Sequence, residues 1–560
     1  MTPERARRAV AEALSAAFER VTGIRRLVQV VEPHDASFGD LSTQIALEAA
    51  GGLGMNPGKL ARELAESADL PADIVGRISV AGHGFLNMTF SDSYLDSYAF
   101  ELGTDGLLGF LPRASGAGRA LVEYVSSNPT GPLSVGHCRQ AVLGEAIARL
   151  LEATGWKVER EYYFNDAGRQ TALLGESLAA RYFTLAGTPM PVPEGGYQGG
   201  YISEWAGDLL ASRPGLSWPG DSEVFTSYAR DRAMDLIVSD LSLLGIVFDR
   251  FFNESSLVPV AAAAALERLS SVNTGEGSLV YENPPGSGKM WLRLTALGRP
   301  EDRVVRRENG MFTYRMPDMA YHLDKFARGY DLLVDIFGSD HLDTSRDVTA
   351  ALEALLGREE VSRRLKIVLH QFVTLLREGR KVKMSTRSAN FVTLRELVEE
   401  VGSADVTRYL FLTRRAEAHM DFDLELAARQ SDENPVYYVQ YAHARICGIL
   451  GTAAAGGIEP PAALSGFAGR LSDPAERKLI RLLELVPCRV ISAADALEPQ
   501  RITELLAEIA TAFHSFYQKI RVVDPAEREL SSARLLLCRA CRNVIRDLLG
   551  ILSVEAPERM

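Results

Sequence analysis

Residues 120–170 restrict the possible folds more than any other stretch: ALVEYVSSNPTGPLSVGHCRQAVLGEAIARLLEATGWKVEREYYFNDAGRQ. Leu121 to Val125 is a short β-branched and aromatic run, which predicts a buried strand. Ser126 to Ser134 carries the Ser, Asn, Pro and Gly of turn chemistry. From Val135 onward, Val142, Leu143, Ile147, Leu150 and Leu151 recur at helical spacing, and Gly155 is a natural stop. Lys157 to Phe164 reads as a second strand. Strand, loop, helix, strand is one half of a nucleotide-binding α/β unit on a parallel sheet. The loop sets Gly136 and His137 at the helix N-terminus, where free N–H groups and the helix dipole favour phosphate. Gly136 permits close approach of a ligand ring, and His137 can donate to a phosphate oxygen. Neither GxxxxGK[ST] nor GxGxxG is present, and the dipeptide alone is equally a structural turn.

At 560 residues the chain should hold three or four domains. Its net charge of −12 opposes a sequence-independent DNA coat and leaves room for RNA bound on a local basic face. DNA and membrane are therefore not expected partners: no apolar run reaches the ~18 residues of a bilayer span, and the first 30 residues lack the apolar core of a signal peptide. The five cysteines are few and scattered, and Cys538-x-x-Cys541 has no second pair to complete a zinc site. No metal site made by protein alone is expected, and a reducing cytoplasm fits.

Along the chain, residues 1–112 predict a small α+β unit, with a Gly-His-Gly turn inside the strand-like segment from Ile78 to Ser91. A glycine-rich linker follows, Gly103 to Gly118. Residues 171–290 read as a largely helical insertion, after which the α/β core resumes near Leu292. Leu332 to Phe337 predicts a strand ending at Gly338 and Asp340, the place where open α/β sheets bind ligands. Leu365 to Leu375 is another strand-like run. Arg377, Arg380, Lys381, Lys383 and Arg387 then concentrate positive charge between a strand and a helix. From about 427 to 560 the pattern is helical, and Tyr437, Tyr438, Tyr441 and Arg445 offer stacking planes and a cation suited to unpaired bases.

Five blocks in order resemble the arginyl-tRNA synthetases among the class I aminoacyl-tRNA synthetases. They are GDLSTQIALEAAGGLGMNP with VAGHGFLNMTF, SSNPTGPLSVGH with REYYFNDAGRQ, the Tyr314-x-x-x-Asp318 segment, the Lys383-Met-Ser-Thr-Arg387 loop, and the tyrosine-rich helices ending in APERM. Two positions depart from the family pattern: Ser134 stands for its first loop histidine, and Thr386 for its second loop lysine.

The resemblance implies a multidomain chain. Residues 1–112 would be an N-terminal additional tRNA-binding domain. Residues 113–426 would be a Rossmann-type parallel-sheet catalytic core, with an insertion at about 171–290 and the Lys-Met-Ser region at 377–426. Residues 427–560 would be an all-α anticodon-binding bundle. It implies that His137, Lys383 and, as a substitute cation, Lys381 stabilise the phosphates. ATP would be held by Ser134, Gly136, His137, Gly338, Asp340, Lys383, Met384 and Ser385. Arginine would be held by Glu123, Ser127, Asn128, Tyr314, Asp318 and His341, and tRNA by Tyr437, Tyr441, Arg445 and Met560. Glu123 at a strand end is otherwise awkward, and a bound ammonium would resolve it.

The implied activity is arginine–tRNA ligation by a cytoplasmic monomer using ATP, with Mg²⁺ carried on the ATP, arginine and tRNA-Arg. Two other readings compete. Ser134 and Thr386 suit a slow or non-catalytic tRNA-binding paralogue. A different nucleotidyl-transfer enzyme on the same sheet, such as an amide ligase, is opposed by the anticodon-type domain.

Overall fold

The computed structural model describes residues 2–112, 117–166, 168–382 and 392–560. They divide into two compact units: residues 1–112 with 431–496 and 501–560, and residues 113–430 with 497–500.

The second unit is organised by a parallel sheet of five strands among the described residues. We label them β1 (Arg119–Glu123), β2 (Lys157–Phe164), β3 (Arg250–Asn253), β4 (Leu332–Gly338) and β5 (Leu365–His370). Their spatial order is β5-β4-β1-β2-β3, and all four pairings are parallel. The order reverses between β1 and β4, so the ligand crevice of such a sheet lies beyond the carboxyl ends of these two strands. Helix α1 (Val135–Ala153) covers the sheet and is buried on nearly every side. Its Gly144 lies directly on the Tyr124 ring, where an added Cβ would collide. A second helix, α2 (Arg315–Ala327), packs Met316, Met319, Ala320 and Leu323 into the core beside Leu121 and Leu333.

The sheet differs from the sequence expectation in two places. It takes up β3 at Arg250, inside the stretch expected to be insertion, so the inserted bundle is the shorter set of helices Arg169–Leu185, Gly200–Ser212 and Ser222–Leu243 around Leu178, Trp205 and Phe225. The run from Leu365 to Leu375 is two strands in two sheets. After β5, Val373–Arg377 joins a small sheet with Arg380–Lys381 and Met420–Asp423.

In the first unit, Thr2 caps helix Pro3–Thr22, whose Ala6, Val10, Leu14 and Phe18 form one buried stripe. The segments Leu41–Thr43, Val75–Ala81 and Phe85–Phe90 form an antiparallel sheet, with Gly82 to Gly84 in the predicted turn. The sequence suggests separate domains at the two chain ends, but here they share one compact unit. Arg7 pairs with buried Glu484, Tyr94 donates to the same carboxylate, and Arg477 pairs with Asp92 and Asp96. Helices Pro435–Ala455, Pro474–Ala496, Gln500–Lys519 and Arg528–Ile551 make up the helical part. Among the described residues no helix is long and apolar enough to cross a membrane.

Candidate active site

The chain leaves β1 through two left-handed residues, Val125 (φ 66°) and Ser126 (φ 41°). A β-branched residue at positive φ is a rare, strained conformation of the kind that collects at functional sites. Its result is local. Ser126 Oγ donates to Glu123 Oε1 at 2.8 Å and accepts from the Tyr163 N–H at 3.0 Å, while the Ser127 hydroxyl and carbonyl engage Tyr162 at 2.9 and 2.7 Å. Asn128 is exposed.

Ser134 has a backbone role that the sequence reading did not assign. It is the N-cap of α1, its Oγ accepting from the His137 N–H while its own N–H donates to His137 Nδ1 at 3.2 Å. An accepting Nδ1 places the imidazole proton on Nε2. Burial pulls His137 down to about 4, so the ring is neutral at physiological pH. A neutral Nε2–H at a helix N-terminus, without a partner among the described residues, is a fitting donor for phosphate. Ser134→Ala should lower the unfolding free energy by ~0.5–2 kcal/mol, the cost of a lost N-cap. Hydrogen exchange of the α1 amides measures this, and unchanged protection would refute the capping role.

Beyond β4, Gly338 leads into the turn Ser339–His341. Asp340 and His341 are both exposed, with His341 Nε2 3.8 Å from Asp340 Oδ2. Asp340 acts electrostatically on His137 and on His370 at the end of β5, and His137 acts on His370, so the ends of β4 and β5 and the N-terminus of α1 feed one place. Lys381 is exposed in the hairpin Val373–Arg377/Arg380–Lys381. Lys383, Met384, Ser385 and Thr386 lie outside the described residues.

A second, acidic cluster surrounds Asp318, in the first turn of α2. Its carboxylate has no hydrogen bond or ion pair among the described residues, while Glu123, Glu254, His322 and Lys325 all act on it. Burial and the neighbouring carboxylates push it up to about 7. Burial also raises Glu254, which accepts from Tyr163 Oη at 2.9 Å. Sequence reasoning missed Glu254 because it follows β3, inside the supposed insertion. The signal available was the charged residue just past the aromatic pair Phe251-Phe252.

Glu123 needs correction. Its expected ammonium partner is internal: buried Lys325 bridges Glu123 and Asp335, the latter at 2.6 Å, and His322 Nε2 binds the other Asp335 oxygen at 2.8 Å. Burial opposes every charge here, yet two cations hold Asp335 well below the usual carboxylate range. Tyr314 also differs from the expectation. It is 60% exposed and lines an open groove with Trp291, Arg303 and Arg307 that does not include Asp318.

In the helical part of the first unit, Tyr441, Arg445 and Met560 line one groove of about 810 Å³. Tyr517, not singled out in the sequence, completes it under the Arg445 guanidinium, 5.0 Å from its ring centre. Tyr437 is not among the groove residues.

Comparison with known proteins matches this arrangement from end to end. Residues 4–90 match the arginyl tRNA synthetase N terminal domain, residues 110–191 the class I (R) tRNA synthetase catalytic domain, and residues 439–560 the DALR anticodon binding domain. Arginine–tRNA ligase of Desulfotalea psychrophila is 43% identical over 530 residues, covering 94% of each chain. The chain belongs to the arginyl-tRNA synthetase family. A Salinibacter ruber member is 41% identical over 554 residues, covering 95% of this chain and 96% of its own. The arginyl-tRNA synthetase structure from Thermus thermophilus shares the fold, with a TM-score of 0.76 at 22% identity over 99% of this chain and all of that one. Nothing in these likenesses to the family favours a non-catalytic paralogue or an amide ligase.

Proposed function

We propose that this chain activates arginine with ATP to arginyl-adenylate and transfers the arginyl group to tRNA-Arg, acting as a cytoplasmic monomer. The observation that carries the substrate choice is the partnerless Asp318 carboxyl, set beside Glu254 in a crevice with carboxylates in excess. A guanidinium is a planar cation with five donors and no acceptor, the complement of such a pocket. Asp318 and Glu254 take the guanidinium. Ser127, Asn128, Glu123 and His341 shape the amino end, Glu123 through its Lys325 bridge.

On the ATP side, the neutral His137 donates to phosphate, Gly136 makes room for adenine, and Ser134 caps α1. Lys381 and Lys383 supply positive charge for pyrophosphate, and alignment with charge neutralisation provides the acceleration. Among the described residues no group of three or more His, Cys, Asp or Glu converges as metal ligands. Mg²⁺, which usually retains waters and takes few protein ligands, arrives on the triphosphate. The groove of Tyr441, Arg445, Tyr517 and Met560 stacks unpaired anticodon bases.

ATP–pyrophosphate exchange with each of the twenty amino acids, with and without tRNA, tests the proposal. Exchange driven by arginine alone among them supports it, and no exchange or another amino acid refutes it. A pH profile adds a second check. Asp318 binds a guanidinium only when ionised, and its carboxyl sits at about 7. kcat/KM for arginine should therefore be full above that pH and fall about tenfold per pH unit below it. KM for ATP should stay flat from about pH 5.5 to 8, because His137 is already neutral throughout.

A further inference from the structure

Helix Arg528–Ile551 carries Arg539, Arg542 and Arg546 on one face, at spacings of three and four residues. With residues 103–106, at the end of helix Asp92–Asp105, they line a polar cavity of about 320 Å³. Two of the three guanidiniums are held from behind. Arg546 Nε and Nη2 donate to Asp547 Oδ1 at 2.9 and 2.8 Å, and the other Asp547 oxygen accepts from the Leu107 N–H at 2.9 Å. Arg542 Nη2 donates to Asn543 Oδ1 at 2.9 Å, and Asn543 Nδ2 donates to the carbonyls of Leu102 and Gly103 at 3.3 Å. Gly106 leaves room for this clasp, since a Cβ there would stand 3.1 Å from Asp547 Oδ2. Arg539 Nε is buried without a partner among the described residues. Burial, then the charge of Arg542, lower the Arg539 pKa, and Glu459 offsets only part of this.

Three cations thus share one space against two carboxylates. Asp105 forms no ion pair with them among the described residues, and both oxygens of Asp547 are engaged. Like charges repel at such range unless an anion joins them, and the guanidinium fork is the complement of phosphate oxygens. From Arg539 to Arg546 the helix rises about 10 Å, which suits successive phosphates of a strand better than one free ion. His443 responds to Arg542, Arg546 and Glu558, and Glu558 lines the groove of Tyr441 and Arg445, so the cluster adjoins the surface read as holding unpaired bases. We propose that Arg539, Arg542 and Arg546 seat the phosphates of an RNA strand, adding affinity without reading sequence. The proposal rests on the reading of this chain as a tRNA-binding enzyme, and it adds a backbone contact outside the base-stacking groove.

The test is fluorescence titration of labelled tRNA-Arg with the full chain across about 0.05–0.3 M KCl. Arg539→Gln with Arg542→Gln should weaken binding about tenfold near 0.1 M and lower the slope of log affinity against log salt by about 1–2, with the same change for tRNA-Arg of altered anticodon. Arg546 is left in place so that Asp547 keeps its partner. Arg539→Lys with Arg542→Lys keeps both charges and should keep the slope. Because the slope does not depend on the active fraction, a partly folded preparation still reports it. An unchanged slope in the glutamine variant, or the same fall in the lysine variant, would overturn the proposal while leaving tRNA binding standing. Calorimetric titration with inorganic phosphate is the second arm. Phosphate binding that the glutamine variant loses, with the tRNA slope unchanged, would overturn the RNA assignment in favour of a free anion. Absence of tRNA binding by the unaltered chain would overturn both readings.

Discussion

Asp318→Ala is expected to lower kcat/KM for arginine in pyrophosphate exchange by about 10²–10⁴-fold, with KM for ATP changed by less than about threefold. The size follows from what remains. Removing one partner of a desolvated charge pair costs ~2–5 kcal/mol, much of it for the charge left behind. In this variant the arginine guanidinium would enter a pocket in which Glu254 is already engaged by Tyr163. Asp318→Asn separates charge from shape. It keeps an acceptor but no charge, so it should remain strongly impaired and lose the pH dependence of arginine use near pH 7. Exchange within about tenfold of normal in either variant would remove Asp318 from the guanidinium site.

The second large effect is on stability. Lys325 is fully buried between Glu123 and Asp335, with His322 on the far side of Asp335. Lys325→Met keeps most of the volume and deletes the charge, leaving two buried carboxylates with one imidazole. The expected loss is ~3–5 kcal/mol in the unit that carries the parallel sheet, the usual cost of breaking a buried ion pair from one side. Because the chain has two units, the measurement is hydrogen exchange of the β1 and β4 amides rather than a single melting point. Adding Glu123→Gln to Lys325→Met should recover part of the loss, since one of the stranded charges is gone. A loss below about 1 kcal/mol would show that the network relaxes or takes up water.

The contrast between legible and illegible parts has physical causes. The segment β1–α1–β2 could be read because turn chemistry and helical periodicity agree over fifty contiguous residues, and β2 spans Lys157–Phe164 as expected. β3 is four residues long, Arg-Phe-Phe-Asn, too short for any period to register, and with it Glu254 went unseen. The run from Leu365 to Leu375 reads as one strand-like segment, and no local rule says that Gln371-Phe372 carries the chain from one sheet to another. Lys325 is invisible because lysine defaults to the surface. Only the pairing of Glu123 with Asp335 across β1 and β4 creates the paired carboxylates that require a buried cation. Tyr314 shares a motif with Asp318, but as N-cap of α2 its ring faces an exposed groove. Cap position, not spacing, decided that.

The joining of the two chain ends in one unit has a consequence for synthesis. Asp96 is buried and waits for Arg477, 381 residues later, just as Arg7 and Tyr94 wait for Glu484. At ~5–20 residues per second, the ribosome takes about 20–80 s to deliver that guanidinium. In that interval the nascent N-terminal helices carry an unfinished face, while the sheet between them can already close. The N-terminal helices are therefore expected to complete their packing only after the last helices have been made.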